Sequence, residues 1–182
     1  MIKDGKGGAN TKTGLIFEGK TELATTINNI EEYEVKNDVV YYNGEEIAYL
    51  YKKHALYRYL KEEGIDWNKY ISKKLLPDNS VYIKESNKLF IIEYKYQNSK
   101  GSVDEKIQTC DFKRKEYQKL MKPLGVDVEF IYVLCDWFRD PKYKDALEYI
   151  ESVGCFYYFN NIPLSKIGLP TSFEEKWNVK RF

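Results

Sequence analysis

Leu89-Phe90-Ile91-Ile92-Glu93-Tyr94-Lys95-Tyr96-Gln97 is the stretch from which the rest of the chain can be read. Its first four residues are an apolar run with the β-branched and aromatic content of a buried strand. Two ionisable side chains follow at the end of that run, where burying charge is costly unless it is paired. Upstream, Val81-Tyr82-Ile83-Lys84 reads as a second strand and Glu85-Ser86-Asn87 as the turn between the two. Side chains alternate along a strand, so Glu93, Lys95 and Gln97 share one face while Ile92, Tyr94 and Tyr96 share the other. Pairing through the turn would bring Asp78, just ahead of the first strand, close to Glu93.

Further elements extend from this hairpin in both directions. Val39-Val40-Tyr41-Tyr42 and Ile47-Ala48-Tyr49-Leu50 flank Asn43-Gly44, the strongest short-range hairpin signal, because both turn residues tolerate positive φ. A helix is expected from about Gly14 to Asn28 behind a Thr13 cap, and another from Lys53 to Glu63, closed by Gly64. Ser102 can cap a helix running from Val103 to Met121, with Glu105 placed as in a capping box, and Pro123 and Gly125 stop it. Val128 to Cys135 reads as a strand, Pro141 to Glu151 as a helix and Cys155 to Phe159 as a short final strand. Strands alternating with helices predict an α/β fold, a central mixed β-sheet flanked by helices. With no repeat or composition break, the 182 residues are expected to form one domain, with residues 1–13 as a flexible Gly/Lys-rich arm.

Composition narrows the chemistry. Hydrophobic residues make up 43% and charged residues 31%, which suits a globular chain. No apolar run approaches the roughly 18 residues of a membrane span, and the polar start is unlike a secretory signal. Cys110, Cys135 and Cys155 are few and widely spaced, as in reduced cytoplasmic proteins. His54 is the single histidine, which argues against structural zinc and against hydrolysis by a catalytic histidine. Carboxylates, lysine and hard metals remain. Net charge is only +1, although residues 84–122 carry ten Lys/Arg against six Asp/Glu.

One motif fails on physical grounds. Gly14-Leu15-Ile16-Phe17-Glu18-Gly19-Lys20-Thr21 fits the phosphate-loop pattern by letter, but no buried strand precedes it, and Leu15, Ile16 and Phe17 read as helix core. Nucleoside-triphosphate hydrolysis is therefore the least favoured enzymatic reading. At the hairpin, Asp78, Glu93 and the backbone carbonyl of Tyr94 would make an oxygen-rich site suited to Mg²⁺. Lys95, two residues along, can orient a water and offset negative charge, an arrangement that suits phosphodiester hydrolysis. A cross-strand salt bridge accounts for the same residues about equally well.

Pro77-Asp78 and Glu93-Tyr94-Lys95 on a strand hairpin resemble the PD-(D/E)XK nuclease superfamily, especially the type II restriction endonucleases. The resemblance covers about residues 14–151 and implies a restriction-endonuclease-like core. It implies Mg²⁺, with Mn²⁺ able to substitute, held by Asp78, Glu93 and Tyr94. Lys95 would position the attacking water, and Glu18, on the first helix, would supply a further acid, with Glu22 one turn on as a weaker candidate. It further implies double-stranded DNA as substrate, 5′-phosphate ends, a homodimer that cuts both strands, and a cognate DNA methyltransferase as genetic partner. Gln97, Asn98, Lys100, Ser102 and Lys106 would face the DNA, since lysines and helix N-termini suit phosphates and Gln or Asn can read adenine edges. Asn10 and Lys12 in the arm could wrap it.

A structure-selective repair or junction-resolving nuclease, or an inactive DNA-binding module of the same fold, would carry the same motif. Lys113-Arg114-Lys115, with Lys106 and Lys119, reads either as a phosphate track or as an exposed helix face. Phe156-Tyr157-Tyr158-Phe159 reads as a buried strand or a dimer surface, and His54 as structural or solvent-exposed.

Overall fold

The computed structural model describes residues 23–97 and 103–171. They form one seven-stranded sheet in which spatial order equals chain order: β1 (Tyr33–Lys36), β2 (Val39–Tyr42), β3 (Glu45–Leu50), β4 (Asn79–Ile83), β5 (Lys88–Lys95), β6 (Asp127–Leu134) and β7 (Phe156–Phe159). The first five strands are an antiparallel meander, whereas β5, β6 and β7 run parallel. The sheet is therefore mixed, and β5 is the strand at which its sense changes.

Local sequence explains the meander. Two-residue loops join Lys36 to Val39 and Tyr42 to Glu45 in register. Asn37, Asp38, Asn43 and Gly44 all take positive φ, as the tight turns that match strand twist require. The Asn43-Gly44 hairpin is the expected one. β1 was not expected: Tyr33-Glu34-Val35-Lys36 alternates correctly but is only four residues long and sits among charges.

Parallel strands need crossovers, and helices supply them. Between β5 and β6 run α3 (Val103–Lys106), a tight 3₁₀ turn over Ile107–Thr109 and α4 (Cys110–Met121). The single helix expected over these residues is thus broken. Tyr132 donates its hydroxyl to the Lys106 carbonyl at 3.2 Å, and Thr109 Oγ1 donates to the same oxygen at 2.8 Å. That carbonyl would otherwise accept from residue 110, so side chains compete with the helix ladder there. α5 (Lys144–Ser152) makes the crossover from β6 to β7, and α2 (His54–Glu62) links β3 to β4. Of the helix expected over 14–28, the described part is α1 (Leu23–Asn28).

Each face of the sheet has its own core. Leu89 and Ile91 of β5 and Val128, Phe130, Tyr132 and Leu134 of β6 pack with α2, α4 and α5. Phe90, Ile92, Ile131 and Val133 face the other way, against Leu23 and Ile27 of α1. Burial on both faces is why these strands read as continuous apolar runs. Ile162, Leu164, Ile167 and Leu169, which the sequence reading assigned to no element, are all buried in the second core.

Gly168 holds this last segment down. Its φ is +73°, and a Cβ there would meet Ile83 Cγ1 at 2.9 Å and Phe90 Cε2 at 3.2 Å. Gly125 has a similar φ of +65° with open space around it. Gly125→Ala therefore carries only the left-handed strain of about 1–2 kcal/mol. Gly168→Ala adds an overpacking cost of about 1–3 kcal/mol. Urea unfolding of both variants should rank Gly168→Ala clearly the less stable, and equal midpoints would show that the segment yields.

Candidate active site

The antiparallel register pairs Asn79 with Ile92, and one further step sets Asp78 opposite Glu93, as expected for this hairpin. The approach to β4 is held from both sides. The Pro77 carbonyl accepts from Lys53 N–H at 3.0 Å, Tyr51 N–H donates to the Ser80 carbonyl at 2.9 Å, and Ser80 Oγ donates to the Tyr51 carbonyl at 2.7 Å. Asp78 Oδ2 accepts the Tyr94 N–H at 3.0 Å, so the carboxylate stands at the end of the ladder in place of a strand partner. Peptide groups alternate sides along a strand, and the Lys95 carbonyl accepts from Cys135 N–H of the segment after β6, at 3.1 Å. The Tyr94 carbonyl, like its N–H, therefore turns to the Asp78 side.

Glu93 lies on the opposite side of the strand from Ile92 and is only 5% exposed. Two ammonium groups hold it. Lys95 Nζ lies 2.9 Å from Oε2, and Lys113 Nζ lies 2.6 Å from Oε2 and 2.8 Å from Oε1. Lys95 also stands 5.4 Å above the Tyr132 ring. Glu93, buried, is paired by both Lys95 and Lys113, the condition under which buried charge is tolerated, while Asp78 is half-buried. One turn beyond Lys113, Tyr117 is fully buried and its hydroxyl has no partner among the described residues. Burial, reinforced by the charges of Glu93, Tyr57 and Asp78, pushes its phenol well above the ordinary range, so it stays protonated and able to donate.

The other expected residues fall into three groups. Asn10, Lys12, Glu18, Glu22, Asn98, Lys100, Ser102 and the Gly14–Thr21 motif lie outside the described residues. Lys106 is exposed at the end of α3. Gln97 is 8% exposed, its backbone pinned to Cys135 by N–H to Sγ at 3.3 Å and Sγ to carbonyl at 3.4 Å. Neither polar atom of the Gln97 amide has a partner among the described residues.

The basic run on α4 is neither a continuous track nor a uniformly exposed face. Lys113 turns inward to Glu93, Arg114 donates to the Val153 carbonyl at 2.8 Å beneath Gly154, and Lys115 pairs with Asp111. Lys113 is the site residue that sequence reasoning did not single out. Its partner lies 20 positions away across a strand-to-helix crossover, and its own neighbourhood looks like a solvated run. His54 is exposed at the first residue of α2, and Phe156 on the terminal strand is 42% exposed.

The donors suit a hard divalent cation. Two carboxylates and a backbone carbonyl lie at one strand end, which is oxygen chemistry appropriate to Mg²⁺ or Mn²⁺. Tyr117 adds a buried hydroxyl donor with no acceptor among the described residues. Among the described residues, no three His, Cys, Asp or Glu side chains gather into a ligand cluster, so the acids here are a pair. No helix among the described residues is long and apolar enough to cross a membrane. No family model, no curated protein and no solved structure matches the chain.

Proposed function

We propose that the protein is a Mg²⁺-dependent endonuclease of double-stranded DNA, with a restriction-endonuclease-like core of the PD-(D/E)XK kind. One observation carries the reading: Asp78, Glu93 and Lys95 sit at the same end of the β4–β5 hairpin, on the strand that is antiparallel to one neighbour and parallel to the other. Chance Asp/Glu-x-Lys triplets are common in a chain this rich in charge. A second carboxylate placed across the strand and locked to the intervening backbone N–H is not.

In this reading Asp78, Glu93 and the Tyr94 carbonyl hold the cation, with Glu18 in support. A bound Mg²⁺, for which Mn²⁺ substitutes, supplies Lewis-acid stabilisation of the phosphate oxygens. Lys95 orients the attacking water and offsets the charge that develops on phosphorus. In-line attack with loss of the 3′ oxygen leaves a 5′-phosphate. Asn98, Lys100, Ser102 and Lys106 follow the catalytic strand and would face the duplex, with Asn10 and Lys12 reaching round it; Gln97, expected among them, is instead buried with both amide atoms out of reach of a duplex. Two copies each cut one strand, and a cognate DNA methyltransferase protects host DNA in the same cytoplasm.

The test is a gel. Purified protein is incubated with unmethylated plasmid and phage DNA, with Mg²⁺ or with EDTA. Discrete fragments only with Mg²⁺ are expected, with ends that ligate without prior phosphorylation. Cleavage confined to branched DNA would favour the junction-resolving alternative. Binding without cleavage across unmethylated DNAs of varied sequence would favour the inactive module.

A further inference from the structure

The Lys113 ammonium touches both oxygens of Glu93, at 2.6 and 2.8 Å, and so occupies the positions that a divalent cation would need on that carboxylate. Lys95 already supplies one ammonium at 2.9 Å, at the end of the same strand. The second is brought in by a different element, α4, which packs against β6. With Glu93 buried and Asp78 half-buried beside it, a single lysine would leave the two acids one positive charge short. Lys113 closes that gap.

We infer that Lys113 is a resident stand-in for the metal: its ammonium neutralises Glu93 in the metal-free protein and must leave the carboxylate when a divalent cation binds. The inference rests on the metal-binding reading above and goes beyond it. It makes Lys113 a positioning residue that sets cation affinity, and it gives α4 a contact that is lost on loading. Geometry and charge act in the same direction. The ammonium blocks the oxygens, and a positive charge nearby repels a dication. Removing it must therefore tighten metal binding. If Lys113 served only to hold Glu93 in place, its loss would loosen binding.

The sign of the change is the test. Mn²⁺ and Mg²⁺ are titrated into wild-type protein and Lys113→Met without DNA, with affinity read by calorimetry and by the thermal shift that ligand binding produces. Lys113→Met should melt lower in EDTA and bind Mn²⁺ about tenfold more tightly, within the usual range of coupling between competing groups. Lys113→Arg keeps the charge and should bind nearly as weakly as wild type. Lys113→Gln keeps a hydrogen bond without the charge and replaces Lys113→Met if that variant does not fold. Unchanged or weaker Mn²⁺ affinity in the neutral variants overturns the inference.

Glu93→Gln separates the two levels of the claim. If it abolishes binding while Lys113 makes no difference, the metal site stands and the role of Lys113 falls. If metal binds equally well without the Glu93 charge, both fall.

Discussion

Lys95→Ala is expected to cut DNA at least about 10²–10³-fold more slowly than wild type in single-turnover assays, the scale on which removing one positioned stabilising group acts. DNA binding should change by no more than a few fold. Glu93 keeps Lys113 at 2.6 Å in that variant, so the carboxylate is not left unpaired and the fold should persist. Asp78→Asn makes a complementary case. An amide oxygen can still accept the Tyr94 N–H now taken by Asp78 Oδ2 at 3.0 Å, so the local backbone is kept while the charge is lost. Cleavage should fall as far, with a melting temperature near that of wild type. Wild-type rates in either variant would move the chemistry elsewhere in the molecule.

Phe130→Ala carries the largest expected loss of stability. Phe130 is fully buried at the middle of β6 and packs edge-on against Tyr132, with ring centroids 5.0 Å apart. Truncation removes a large apolar surface and leaves a cavity between the sheet and its helices, at a cost of about 3–5 kcal/mol. Tyr132 is the ring beneath Lys95 and the donor to the Lys106 carbonyl. The cavity therefore opens next to the site's support, and the break between α3 and α4 should loosen with it. Chemical denaturation gives the energy, and hydrogen exchange at Cys110 and Asp111 gives the local effect. A loss below about 1 kcal/mol would mean that the core collapses to fill the space.

The β2–β3 and β4–β5 hairpins, α2, α5, β6 and β7 were legible because their signals are local: turn residues, apolar runs and helix stops lie within a few positions of the element they define. β1 was not, since four alternating residues carry little signal until a neighbouring strand pairs with them. The break at Ile107–Thr109 was invisible because its cause, Tyr132, comes from another strand. Ile162 to Leu169 show no helix or strand period at all, and only their packing into the core with Ile83 and Phe90 places them. At the site the division is the same. Asp78, Glu93 and Lys95 are set by strand alternation and one turn, both readable from spacing. Lys113 depends on how α4 lies across the sheet, which no spacing encodes.

The change of sense at β5 also sets an order in time. Lys84 to Asn87 is all the chain that must close before β4 and β5 pair, whereas β5 and β6 pair only after residues 96–126 have looped back. Closing the longer loop costs more entropy and is slower. Asp78 and Glu93 can thus meet early, while a chain emerging from the ribosome still lacks its second half. Lys113 and Tyr117 lie inside the longer loop and join them only when the parallel strands dock. The two carboxylates spend the interval in water, where ionised groups cost little to keep, and Glu93 becomes buried and lysine-clamped in the last step.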